Sequence, residues 1–73
     1  MNPNAKARIA RILSILESAE TLGALDVPGF RFHGLKGFDP RRYSIRVTGN
    51  WRITFAWQDG VANAVDLEDY HGS

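Results

Sequence analysis

The sequence contains no cysteine, and this absence excludes two classes of small protein. No disulfide framework and no thiolate zinc site can hold its 73 residues together. The two histidines, His33 and His71, lie far apart along the chain and cannot form a zinc centre by themselves. We therefore expect a chain without metal or cofactor that depends on one hydrophobic core, near the smallest size at which such a core suffices.

Long apolar runs are missing as well. In the first predicted helix the longest uncharged stretch covers residues 12–16, and Ser14 interrupts it. That stretch is too short for a signal peptide or a membrane span. Hydrophobic residues make up 44% of the chain and charged residues 23%, which are ordinary globular values that argue against disorder. We expect one cytoplasmic domain over residues 1–73, with no membrane partner.

Basic residues are absent from the end of the chain. Residues 59–73 carry four acidic side chains and no Lys or Arg, whereas residues 26–58 carry six basic side chains against two acidic ones. The net charge of +1 therefore conceals a basic middle and an acidic end. Two interpretations stay open. The two blocks neutralise one another in neighbouring strands, or the basic block binds an anion with carboxylates nearby.

Hydrophobic periodicity predicts one helix followed by four strands. Apolar residues recur at helical spacing after Pro3, which suits the first position of a helix. From residue 30 the period changes to two, which predicts strands over residues 30–35, 43–47, 51–57 and 61–67. We therefore expect an α+β fold in which the N-terminal helix packs on a small antiparallel sheet.

The apolar pattern also predicts how the two central strands pair. Their apolar residues share a face if a three-residue loop, residues 48–50, places Val47 opposite Trp51. Arg46 then lies opposite Arg52. Like charges in this position repel one another, which favours a polyanion between them. The alternative is that both side chains extend into water or pair with the acidic end of the chain.

The last hairpin is less fully determined by the sequence. Asp59 and Gly60 favour a tight turn, but the apolar residues that follow fit two registers. A β-bulge in the final strand would reconcile them.

Short motifs follow one another in a fixed order along the whole chain. They are Leu-Lys-Gly at 35–37, Tyr-Ser-Ile-Arg-Val at 43–47, Asn-Trp-Arg-Ile-Thr-Phe at 50–55, Asp-Gly at 59–60 and Asp-Tyr-His at 69–71. Each motif is weak alone, but their order and spacing together are specific. In that order they resemble the HigB toxins of the RelE/ParE superfamily, the killer proteins of plasmid maintenance systems.

The resemblance implies an endoribonuclease that cuts mRNA on the ribosome and is held inactive by a HigA-like helix-turn-helix antitoxin. It also implies functional roles for His33, Lys36, Arg52, Asp69, Tyr70 and His71. Two other functions remain open. One is a non-catalytic gyrase inhibitor like the ParE branch, and the other is an inactive relative that only binds the antitoxin.

The chemistry of RNA cleavage agrees with these residues. Attack by a 2′-hydroxyl requires a base, an acid for the leaving oxygen, and cations for the charge on phosphorus. Arg52 and Lys36 can supply the positive charge. Asp69 and His71 are the candidate proton handlers, because imidazole exchanges protons near neutral pH and a carboxylate can orient it. Tyr70 offers a flat face for an unstacked base.

The candidate substrate-binding residues are His33, Arg46 and Tyr70, and Arg46 comes from strand register alone. Each has a structural alternative. His33 could be a surface residue of a strand, and residues 69–71 could be a frayed tail. Arg41 and Arg42 are expected in a loop, where they are either solvated or in contact with ribosomal RNA.

The sequence departs from the family pattern at its beginning. Chains of the family start with a strand and a helix ahead of the helix that begins here at Pro3. We therefore expect that the natural start lies upstream, that a second chain completes the domain, or that the chain is an inactive relative. The second case predicts a homodimer or a complex with the antitoxin, because an uncovered sheet edge is a template for another chain.

Overall fold

The structure is a computed structural model that describes residues 3–69. It contains a helix, α1 (Pro3–Ser18), a short 3-10 helix (Leu22–Leu25) and the strands β1 (His33–Leu35), β2 (Arg42–Thr48), β3 (Trp51–Gln58) and β4 (Val61–Asp69). The strands form one antiparallel sheet in the order β1, β2, β3, β4. The predicted α+β fold, a helix on a four-stranded antiparallel sheet, is confirmed.

One face of the sheet packs against α1. Ile12 of the helix is fully buried in a hydrophobic core that also contains Ile45 and Phe55 of the two central strands. Because successive residues of a strand point to opposite faces, the residues between these apolar positions lie on the other side of the sheet. Across residues 3–69 no helix is both long and apolar enough to cross a membrane.

Two arginines of α1 hold the helix to the segment before β1, and one of them also binds β2. The Nη2 atom of Arg8 donates to the carbonyl oxygens of Gly29, at 2.7 Å, and Arg46, at 3.2 Å. The guanidinium groups of Arg8 and Arg11 lie 5.7 Å and 5.8 Å from the ring centroid of Phe30, which is within cation–π range. These cations therefore serve the packing of the helix.

The first strand is shorter than predicted. Residues 30–32 were expected in it, but β1 begins only at His33. Arg31 adopts a φ of 50°, which breaks the extended chain, and Phe30 is buried in the core. The carbonyl oxygen of Phe30 still accepts a hydrogen bond from the Arg46 amide at 2.8 Å. Burial of the Phe30 ring in the core therefore takes precedence over the period-two pattern that predicted a longer strand.

The turn between β2 and β3 also differs from the prediction. Thr48, not Val47, pairs with Trp51 around a two-residue turn, so the expected three-residue loop is wrong. The ladder is irregular between Arg46 and Thr48, where Val47 forms a bulge. The extra residue of the bulge restores the parity that the apolar pattern requires. Arg46 lies opposite Arg52, as predicted.

The last hairpin follows the prediction. Gln58 pairs with Val61 around the tight Asp59 and Gly60 turn. The register then shifts by one residue at a bulge in β4, where Ala64 has a φ of 49°. The bulge determines which β4 side chains lie on each face of the sheet.

Candidate functional site

The sheet face that points away from α1 carries the polar residues. Cross-strand partners share a face, so the pairing defines two neighbouring rows of side chains. The first row is His33, Ser44, Thr54 and Asp66, and the second row is Arg46, Arg52 and Glu68. Ser44 and Thr54 are fully buried among the longer side chains. We refer to this surface as the polar face.

Arg46 and Arg52 are the most concentrated positive charge on the polar face. They pair directly across β2 and β3, which sets their Cβ atoms about 5 Å apart. Glu68 of β4 pairs with Arg52 on its other side. Both arginines are half-buried. Two planar guanidinium groups in this position suit a phosphate, with one carboxylate at the edge of the positive region.

His33 lies at the β1 edge of the polar face, exposed to solvent. Its Nδ1 is 3.0 Å from the carbonyl oxygen of Arg31, which can only accept, so Nδ1 is the donor. In the neutral ring Nε2 is then an acceptor, and it lies 3.4 Å from the Ser44 hydroxyl. Ser44 and Arg46 are two residues apart on β2, so the row of His33 is about 7 Å from the arginine row.

Lys36 lies at the other end of the sheet. It is exposed in the turn after β1, just beyond Leu35, which pairs with Arg42. Arg42 and Arg46 are four residues apart on β2, a distance of about 13 Å along the strand. The described residues therefore do not bring the backbone of Lys36 next to the arginine pair.

Asp69 ends β4 at an exposed position opposite Trp51. Because Arg52 pairs with the preceding residue, the carboxylate on the arginine side of the sheet is Glu68. Tyr70 and His71 lie outside the described residues. Within residues 3–69 no cluster of histidine and acidic side chains is arranged to hold a metal ion.

One hydrogen-bonded group on the polar face was not predicted from the sequence. Arg42 was expected in a loop, which is wrong, since it is the first residue of β2. Its Nη2 donates to the Thr54 hydroxyl oxygen at 3.1 Å and to the Ala64 carbonyl at 2.8 Å. Thr54 in turn donates to the Glu68 carboxylate. The available signal was that Arg42 alternates with Ser44 in the same strand.

Comparison with known proteins identifies the family of this chain. A family model described as the RelE-like toxin of type II toxin-antitoxin system HigB matches residues 1–71. The chain belongs to the HigB-like toxin family. It is also 39% identical over 64 residues to a Proteus vulgaris protein named Endoribonuclease HigB, an alignment that covers 88% of this chain and 70% of that relative.

Membership of this family places the chain in a type II toxin-antitoxin system, which implies an antitoxin partner. The fold agrees with a RelE-like toxin, one helix on an antiparallel sheet. In this HigB-like toxin the helix covers the apolar face of the sheet, so the polar face is the surface on which the candidate residues His33, Arg46 and Arg52 lie.

Proposed function

We propose that this HigB-like toxin inhibits translation in the cytoplasm as a ribosome-dependent mRNA endoribonuclease. The observation that carries the proposal is the Arg46 and Arg52 pair on the polar face of a chain 39% identical to a protein named as an endoribonuclease. Like charges placed directly opposite destabilise a sheet unless something occupies the space between them. A phosphate of the RNA backbone has the charge and the geometry for this position.

The proposed reaction is an internal transesterification that needs no metal. The 2′-oxygen of one nucleotide bonds to the adjacent phosphorus, and the bond from phosphorus to the 5′-oxygen of the next nucleotide breaks. A base accepts the 2′-hydroxyl proton, and an acid donates a proton to the leaving 5′-oxygen. The products are a 2′,3′-cyclic phosphate and a 5′-hydroxyl. The protein must therefore supply cations and proton carriers.

Both arginines contact the same phosphate in this proposal: Arg52 is the cation that we assign to the charge developing on it, and Arg46 binds it from the neighbouring strand. Their register supports this division, because Arg52 is the central member of the row and has Glu68 on its other side. Lys36, in the exposed turn after β1, contributes charge along the path of the RNA. Preorganised donors of this kind stabilise the charge that develops in the transition state.

The proton carriers in this proposal are Asp69 and His71, with Tyr70 as a stacking surface and His33 as a substrate contact. Their support is the direction of β4, which ends at Asp69 one residue beyond the partner of Arg52. The described part of β4 therefore ends next to the arginine pair. His33 presents an exposed ring on the same face.

Induced expression in growing cells separates this function from the other two. We expect protein synthesis to stop while DNA supercoiling stays unchanged, because the target is mRNA. A gyrase inhibitor would reverse that pattern, and an inactive relative would change neither readout. Arrest of translation with intact messages would contradict the proposed cleavage.

We further propose that the antitoxin is a HigA-like helix-turn-helix protein that docks beside β4. On the α1 side of β4 an apolar groove is lined by Leu13 of the helix and by Val65 and Leu67 of the strand, which are 43%, 45% and 39% exposed. In the described sheet β4 is an edge strand. It carries acidic side chains and no Lys or Arg, so a basic, partly apolar segment fits it better than a second copy of β4 does.

Light scattering of the purified chain, alone and with its antitoxin, tests this docking surface. We expect association at micromolar concentration, either with itself or, preferentially, with the antitoxin. Leu13→Asn should weaken the association, because it removes apolar area from the groove. Ser14→Asn, at an exposed position of the same helix outside the groove lining, is the matched control. A stable monomer that binds neither itself nor the antitoxin would contradict the proposal.

A further inference from the structure

Arg42 ties three strands of the polar face together. It belongs to β2, yet its Nη2 donates across β3 to the Ala64 carbonyl of β4 at 2.8 Å. The same nitrogen donates to the Thr54 hydroxyl of β3 at 3.1 Å. Its cross-strand partner is Ala56, whose short side chain leaves room for a guanidinium to pass over β3.

The carbonyl that Arg42 binds lies at the bulge, where the pairing of β4 with β3 shifts by one residue. Ala56 pairs with Asn63, but Thr54 pairs with Asp66, so an extra residue is inserted between these pairs. Ala64, inside the insertion, has a φ of 49°, a conformation that a non-glycine residue adopts only when its surroundings hold it. A hydrogen bond from a charged donor to this carbonyl stabilises the bulge.

A slip of the bulge would rearrange the site. Shifting β4 by one residue moves every side chain beyond the bulge to the opposite face. Without the bulge the register set by the turn would continue, so Glu68 would leave the row of Arg52 and Leu67 would take its place. The hydrogen bond between Arg42 and Ala64 therefore favours the bulged register of β4 over the register without a bulge.

The hydrogen bond from Arg42 to Thr54 also helps to position Glu68 in the row of Arg52. Thr54 is fully buried, and its hydroxyl has one hydrogen, which it donates to the Glu68 carboxylate. Because Arg42 donates to the Thr54 oxygen, that hydroxyl is oriented toward Glu68. The carboxylate is thereby held on the polar face in the position that pairs with Arg52.

We propose that Arg42 is a positioning residue for RNA cleavage. It fixes the bulged register of β4 and, through Thr54, holds Glu68 opposite Arg52. The proposal rests on the proposed function, but Arg42 itself contacts neither the RNA nor the reacting atoms. Its effect should appear in the rate of the chemical step and leave ribosome binding unchanged.

Arg42→Met tests this role, with Arg41→Met as the matched control. Arg41 is the neighbouring arginine, is exposed, and lies over the Tyr43 ring at 5.8 Å. We expect Arg42→Met to lower the single-turnover rate on saturating programmed ribosomes by about 10- to 100-fold, the scale of a small misplacement of reacting groups. KM should stay the same, Arg42→Lys should restore part of the rate, and Arg41→Met should keep the wild-type rate.

Two further measurements separate positioning from general loss of structure. Hydrogen exchange of the amides beyond the bulge, in residues 65–69, should accelerate in Arg42→Met while the amides of β3 keep their protection. Thr54→Val removes only the hydroxyl link, so its effect on rate should be smaller and should not add to that of Arg42→Met. Thr54→Val also serves as the test variant if Arg42→Met does not fold.

The possible results have distinct meanings. Wild-type rates in both variants, or a change confined to KM, would overturn the positioning role. A wild-type chain that cleaves no RNA would overturn the proposed function instead. Hydrogen exchange would then still decide whether Arg42 fixes β4, and unchanged exchange in Arg42→Met would overturn that part.

Discussion

Arg52→Ala should lower the single-turnover rate of mRNA cleavage on the order of tens- to thousands-fold, the scale observed when one preorganised donor to a transition-state charge is removed. Arg52 is the central member of the row formed with Arg46 and Glu68. Without its guanidinium the charge that develops on phosphorus would lose its nearest cation. Arg52→Lys should recover only part of the rate, because an ammonium is a point charge and cannot reproduce a planar, two-pronged donor.

The control for this experiment is Arg41→Ala, which removes the same charge from an exposed position just before β2, far from Arg46 along the chain. Measured at saturating ribosome concentration, it should leave the single-turnover rate unchanged. An equal loss in both variants would mean that only the net positive charge matters. An Arg52→Ala protein with the wild-type rate would show that this arginine serves the fold and not the reaction.

Deleting residues 69–73 should abolish cleavage and leave the domain folded. The deletion removes all three proposed members of the C-terminal group, Asp69, Tyr70 and His71. Of the deleted residues only Asp69 lies in the described part, and it is an exposed strand end outside the hydrophobic core. The free energy of unfolding should therefore change by no more than about 1 kcal/mol. Thermal unfolding and cleavage on programmed ribosomes measure the two effects separately.

A shorter deletion, residues 72–73, is the matched control. It shortens the same end of the chain but keeps the three residues to which we assign roles, so it should retain wild-type cleavage. If the longer deletion also retained cleavage, the assignment of Asp69 and His71 as proton carriers would be wrong. Unfolding of the longer variant would show instead that the end of β4 is needed for stability.

Much of the fold could be predicted from the sequence because burial follows a simple period. The alternation of Ile45 with Arg46 and of Ile53 with Arg52 requires both apolar residues to share a face, and this parity together with a short loop predicts the arginine pair. The length of the turn between β2 and β3 could not be predicted in the same way. A three-residue loop and a two-residue turn with a bulge at Val47 satisfy the same parity, and the sequence does not distinguish them.

The prediction of the candidate site was limited by the same bulges. Sequence reasoning can assign side chains to faces within a strand, but the bulge at Ala64 reverses the assignment of everything after it. For this reason the roles of Glu68 and Asp69 relative to Arg52 could not be derived from sequence. Arg42 was missed because its partners are a buried hydroxyl and a backbone carbonyl, which leave no charge pattern in the sequence.

The most direct test of the proposed function is the chemistry of the RNA end. Purified protein is added to ribosomes programmed with a 5′-labelled message, and the upstream fragment is sized and its terminus identified. We predict a cut within the codon in the decoding site and a fragment that ends in a 2′,3′-cyclic phosphate. A message that stays intact while the purified protein still inhibits translation would contradict the central claim.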